Sequence, residues 1–103
     1  MTRLSRNDET TLRRIARGES LPSHLRVASV PSLIKQGKVV SFKRGKTRSG
    51  TPHFVYRLTE VGLALYSDVR AEALDLNTEA GMDQHDLDMN LAREYTVKPN
   101  TPE

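Results

Sequence analysis

The sequence contains no cysteine. Disulfides, cysteine-ligated zinc, iron–sulfur clusters and thiol catalysis are thereby excluded, and the composition fits a cytoplasmic protein. Aromatic residues are scarce: two Phe, three Tyr and no Trp in 103 residues, so one domain with a modest core is expected. Long apolar runs are missing too. The longest, Val61–Tyr66, falls far short of the roughly 20 residues that span a bilayer, so no membrane partner is expected. The polar start Met1–Asp8 has no apolar stretch of the secretory kind, and no internal repeat is evident.

What is present is charge, unevenly placed. Residues 1–57 carry 13 Lys and Arg against 3 Asp and Glu, a balance of +10. Residues 58–103 carry 3 against 10, a balance of −7, and the total of +3 conceals the split. Such asymmetry points to a polyanion partner for the first half.

Hydrophobic spacing predicts a first helix over about 8–18, capped by Asn7 or Asp8 and stopped by Gly18, with Leu12, Ile15 and Ala16 inward. Residues 20–28 and 29–36 read as two short helices, with Ser20 and Ser29 as caps and Gly37 as the stop. Pro31 is the reason for two, because inside a helix it costs about 3 kcal/mol, and one kinked helix over 22–36 is the alternative. The first of these places Leu21, Leu25 and Ala28 on an apolar edge with Val27 beside it, and the second turns Val30, Leu33 and Ile34 inward. Two alternating segments around Val40 and Phe42, and around Phe54, Tyr56 and Leu58, predict an antiparallel hairpin. Pairing Val40 with Tyr56 and Phe42 with Phe54 gathers the apolar side chains on one face. Thr59 caps a longer helix over about 60–76, with an apolar arc wider than a small core requires. From residue 77 an acidic extension is expected: a loose amphipathic helix over 83–95, then a disordered tail. The expected organisation is therefore a domain over 1–76 and an extension over 77–103. The fold class is α+β, mainly helical, with three short N-terminal helices, a two-stranded hairpin and a longer C-terminal helix.

The run Tyr56-Arg57-Leu58-Thr59-Glu60-Val61-Gly62-Leu63-Ala64-Leu65 resembles the Y-x-L-T-x-x-G-x-x-L pattern that closes the wing in many bacterial winged helix-turn-helix regulators, those of the MarR and PadR families among them. The order of elements is similar over about residues 8–76. The resemblance implies sequence-specific binding of double-stranded DNA by a small homodimeric, nucleoid-associated transcriptional regulator. It implies that the helix over 29–36 enters the major groove and that the basic loop acts as the wing. The wing here reads Lys43-Arg44-Gly45-Lys46-Thr47-Arg48 where MarR proteins usually carry an Asp-Arg-Arg cluster, so effector sensing of their kind is not implied.

On that reading Lys43, Arg44, Lys46, Thr47 and Arg48 face phosphates or a minor groove. Lys35 and Gln36 have the chemistry to read guanine and adenine edges. Ser29 and Ser32 touch phosphate or cap the helix, and His24 and Arg26 touch the backbone from the turn. Arg13, Arg14 and Arg17 read as a solvated face. Leu63, Tyr66, Leu74, Leu87 and Leu91 form a dimer seam or close the monomer's own core. The alternative function is a protein-interaction module acting through the acidic C-terminal half.

Enzyme readings fail on spacing, so no catalytic residue, metal or cofactor is expected. Gly45-Lys46-Thr47 lacks the glycine five positions earlier that a P-loop needs. His24, His53 and His85 form no helical pair. Asp83, Asp86 and Asp88 do not follow the calcium-loop pattern.

Overall fold

The computed structural model describes residues 4–46, 48–50 and 52–97; the side chains of Arg44 and Pro52 also lie outside that description. Among the described residues five helices and one hairpin follow in the order α1 (Arg6–Ala16), α2 (Ser23–Ala28), α3 (Val30–Lys35), β1 (Val39–Lys46), β2 (Pro52–Leu58), α4 (Glu60–Ala73) and α5 (Glu79–Glu94). The protein is a small α+β domain, mainly helical.

The helix α1 starts two residues earlier than its acids suggest. Ser5 is the cap, its Oγ accepting from the Asp8 N–H at 3.1 Å. Asp8 and Glu9 then lie in the first turn, where the helix dipole favours negative charge. Its inner face of Thr11, Leu12, Ile15 and Ala16 is buried. Leu12, Ile15 and Ala16 join Leu33, Val39, Leu58, Tyr66, Met89 and Ala92 in one core cluster, so α1 is the spine on which the rest is assembled.

A single residue separates α2 from α3. Ser29 keeps right-handed helical dihedrals, and backbone bonds run through it: Ser29 N–H to Leu25 O at 2.9 Å and Leu33 N–H to Ser29 O at 3.0 Å. Pro22, not Ser20, precedes the first turn of α2, and Pro31 sits in the first turn of α3. The expected apolar edge is narrower than its sequence spacing. Leu25 and Leu33 are buried, whereas Val27, Ala28 and Ile34 are exposed. Helices of only six residues bury one side chain or two each.

The hairpin is present, but its register differs from the expected one by one residue. Val39 faces Leu58, Ser41 faces Tyr56, Phe42 faces Val55 and Lys43 faces Phe54. The base of the hairpin imposes this. Thr59 N–H donates to Lys38 O at 3.0 Å, and Leu58 is held on its outer edge by Tyr95 O and the Val97 N–H. These bonds put Leu58 and Val39 into the core, and the two-residue period assigns every other side chain. Phe42 and Phe54 consequently lie on opposite faces, both half exposed. One extra residue enters β1 between Lys43 and Lys46, a bulge in which Gly45 takes the left-handed φ of +70°.

Up to residue 97 the acidic extension is not loose, and the tail expected to be disordered lies outside the described residues. The helix α5 packs on α1 and α4, Met89 and Ala92 enter the core, and Thr96 pairs with Leu58 as a parallel bridge. The two long helices also begin alike. In Thr59-Glu60-Val61-Gly62 and Thr78-Glu79-Ala80-Gly81, the threonine Oγ1 accepts from the glycine N–H, at 3.1 and 3.0 Å. Each glycine then lies against a backbone carbonyl, Lys38 O for Gly62 and Asp75 O for Gly81, where a Cβ has no room. The shared four-residue start was not evident as a repeat because only cap geometry gives it meaning.

Tyr66 is 1% exposed, sealed between the long helices and α1. Burial raises its hydroxyl pKa from the ordinary 10.0, the Asp88 carboxylate adds to the rise, and Arg70 and Arg17 oppose it. Its native form therefore holds the proton longer than the unfolded chain does. The resulting stability is fully present below pH 10.0 and is lost as pH rises through the raised native value. In urea titrations above that pH, Tyr66→Phe should show a shallower alkaline decline, by at most about 1.4 kcal/mol per pH unit. Identical declines in the two proteins would refute this assignment.

Candidate nucleic-acid interface

Two elements carry the residues singled out for DNA: the α2–α3 segment and the hairpin that follows Gly37. Gly37 takes a φ of +74°, which reverses the chain from α3 into β1. The helix α3 packs against β1, so its last turn and the hairpin share one region of the surface.

On the hairpin, Lys43, Lys46 and Arg48 are exposed, and the bulge at Gly45 twists the strand between them. Arg44's side chain and Thr47 lie outside the described residues. On α3, Lys35 is exposed at the last turn. Gln36 is already engaged at both ends: its amide donates to Ser32 Oγ at 2.9 Å, and its carbonyl accepts from Lys38 Nζ at 2.6 Å. Lys38 was not singled out from sequence. It enters through this chain of bonds, which depends on the turn at Gly37. The Ser32–Gln36–Lys38 row presents a preset cation and amide beside the exposed Lys35.

Ser29 is corrected. It is 0% exposed and its Oγ meets no hydrogen-bond partner among the described residues, so no phosphate or base reaches it in this fold. Serine before Val-Pro reads as a cap, but here the helical bonds pass straight through the residue and turn its hydroxyl inward. His24 and Arg26 are both exposed on α2, with Arg26 Nη2 donating to Ser23 Oγ at 3.2 Å.

Two arginines at the end of α1 turn toward Glu19. Arg14 and Arg17 approach its carboxylate at 3.7 and 3.9 Å, and Arg14 also donates to Ser20 O at 3.2 Å. These exposed pairs are worth about 0.2–1 kcal/mol each, whereas Arg13 departs from a solvated face, its Nε being buried.

The residues assigned to a dimer seam separate into three sets. Tyr66 is corrected: it is core, unavailable to a second chain. Leu63 packs against the core, and Leu74 is half-buried where α4 ends. Leu87 and Leu91 stand out on α5, 64% and 39% exposed and one turn apart. Among the described residues no helix is long and apolar enough to cross a membrane, and no group of three acidic or histidine side chains converges for a metal.

Comparison of the chain with models of protein families, with curated proteins and with solved structures finds no match in any of the three.

Proposed function

We propose that this chain is a small winged-helix protein that binds double-stranded DNA and regulates transcription from the nucleoid as a homodimer. The observation that carries this reading is the placement of exposed Lys43, Lys46 and Arg48 on a hairpin that follows three short helices, with Lys35 and the Ser32–Gln36–Lys38 row at its root. The charge split supports it: the +10 half holds α1 to β2, and the −7 half supplies α4 and α5. Acidity on those helices disfavours binding the wrong way round. The wing cations neutralise phosphates and supply affinity, while Lys35 and Gln36 supply what base reading there is. Leu87 and Leu91, an apolar pair on an acidic helix, are the contact we assign to the second copy.

Selection from a random duplex library, followed by anisotropy titrations at 50 to 300 mM salt, tests the reading. Affinity should fall steeply with salt. Lys46→Ala and Arg48→Ala should each make the log–log slope shallower by about 0.9, with all sequences weakened alike. Lys35→Ala and Gln36→Ala should shift preference at a base pair by about 1–3 kcal/mol. A flat salt response sinks the proposal. A stable monomer that ignores duplex DNA and captures one protein through Leu87 and Leu91 would favour the interaction-module alternative.

A further inference from the structure

The outer edge of β2 is unused by the DNA reading. The bonds of Leu58 establish which way this edge points. Its N–H reaches Tyr95 O at 3.0 Å and its carbonyl accepts from Val97 N–H at 2.8 Å, both on the side away from β1. Backbone groups alternate along a strand, so those of Tyr56 and Phe54 point the same way. Thr96 thus lies beside Leu58 in a parallel bridge, and the chain reaches it from α5 without passing alongside Tyr56 or Phe54. Among the described residues nothing pairs with the N–H of Tyr56 or with either backbone group of Phe54.

This bare edge opens into a groove of about 420 Å³, walled on its far side by the loop after α1. The hairpin register sorts the lining. Phe54 and Tyr56 lie on the core-facing side with Ile15 and Leu21, making an apolar wall. His53 and Arg57 belong to the opposite face of the strand, and Arg26 reaches the groove from α2. Glu19, the acid on the rim, is drawn toward Arg14 and Arg17. Arg57 Nη1 donates to the Tyr56 carbonyl at 3.0 Å, and its guanidinium lies 5.3 Å from the centre of the Tyr95 ring. It therefore covers the acceptor that an incoming N–H would use. A carboxylate offers Arg57 a charge-assisted partner and frees that carbonyl.

We propose that the β2 edge from His53 to Arg57 docks an extended acidic segment of a partner protein, which adds as a strand. Alternate side chains of an added strand point to opposite faces, so the segment alternates apolar residues, set on the Phe54–Tyr56 wall, with Asp or Glu, set toward Arg57, His53 and Arg26. This inference does not rest on DNA binding.

The probe is an acetylated, fluorescein-labelled Val-Glu-Val-Glu-Val peptide, titrated with the full chain. Binding with a Kd below about 100 μM is expected, together with slowed hydrogen exchange at the Phe54 and Tyr56 amides. Val-Lys-Val-Lys-Val should bind at least about tenfold more weakly, through charge. Val-Glu-Pro-Glu-Val should do so too, because the proline removes a ladder donor at equal charge. Arg57→Gln should weaken the Val-Glu peptide by about tenfold, and Phe54→Pro should abolish binding. Should Phe54→Pro fail to fold, Arg57→Gln and the proline peptide still decide. Equal binding of the proline peptide would reduce the effect to charge attraction and overturn the proposal. So would absence of binding at 1 mM, or Tyr56 protection in the free protein that grows with concentration and reveals a second copy on the edge.

Discussion

Asp88→Ala should destabilise the protein by about 3–5 kcal/mol, the loss that follows when one member of a buried ion pair is removed. Arg70 Nε and Asp88 Oδ2 lie 2.9 Å apart between α4 and α5, with side chains only 11% and 10% exposed. The other carboxylate oxygen accepts from Gln84 Nε2 at 3.0 Å, so both Asp88 oxygens are occupied. Without Asp88 the Arg70 guanidinium stays enclosed with no counter-charge. A domain of this size has roughly 5–15 kcal/mol in total, so the variant should be partly unfolded at modest urea concentrations. Arg70→Met combined with Asp88→Leu should recover most of the loss, since it removes both charges and keeps the volume. Glu19→Ala is the contrast: its pairs are exposed, and the change should cost no more than about 1 kcal/mol. Urea midpoints for the four proteins decide the matter. Equal, small losses for Asp88→Ala and Glu19→Ala would show that the buried pair holds nothing together. The expected loss also bears on function, because this pair sets α5 on α4 and α5 displays Leu87 and Leu91.

Much of the backbone was legible in the sequence, because it is written in local signals. Thr59 caps a helix, Gly37 stops one, and alternation marks β1 and β2. The hairpin register was not legible. Val40, Phe42, Phe54 and Tyr56 make an apolar face on paper, but the strands are anchored at Val39 and Leu58, and that anchoring depends on Tyr95 and Val97 some forty residues away in sequence. The packing of α5 was hidden for a related reason. Its inner face combines Gly81, Asp88, Met89 and Ala92, a mixed set that reads as weakly amphipathic until Arg70 is placed opposite Asp88. At the candidate interface the exposed hairpin cations follow from charge alone, since alternation sets Lys43 away from Phe54 and the register places the two side by side. The inward hydroxyl of Ser29, the partner Lys38 and the groove beside β2 do not, since each depends on how two elements meet.

The Leu-Thr-x-x-Gly run was the most specific pattern in the sequence, and the structure gives it a physical cause that Gly62→Ala should expose. Alanine in a helix ordinarily gains about 1 kcal/mol over glycine. Here the added Cβ would overlap Lys38 O, with Leu58 Cδ2 in contact at 3.4 Å behind it. Lys38 O cannot easily withdraw, because it accepts from the Thr59 N–H at 3.0 Å and the neighbouring Gly37 carbonyl accepts from the Thr59 hydroxyl. The cap of α4, the root of the hairpin and the glycine are thus one joint. Gly62→Ala should lose about 2–3 kcal/mol net, an overpacking cost that outweighs the propensity gain. Thr59→Ala, which removes the cap but leaves the close approach, should lose only about 1 kcal/mol. Gly81→Ala meets Asp75 O in the same way, yet Asp75 belongs to the short loop just before α5, which can shift without moving a strand. Its loss should be smaller than that of Gly62→Ala. Urea denaturation ranks the three, and hydrogen exchange at the Thr59 amide locates the damage. That amide should exchange faster in Gly62→Ala, as the hairpin root is pushed from the helix. A neutral or stabilising Gly62→Ala would mean that helix propensity, and not the close approach of Lys38, governs the position.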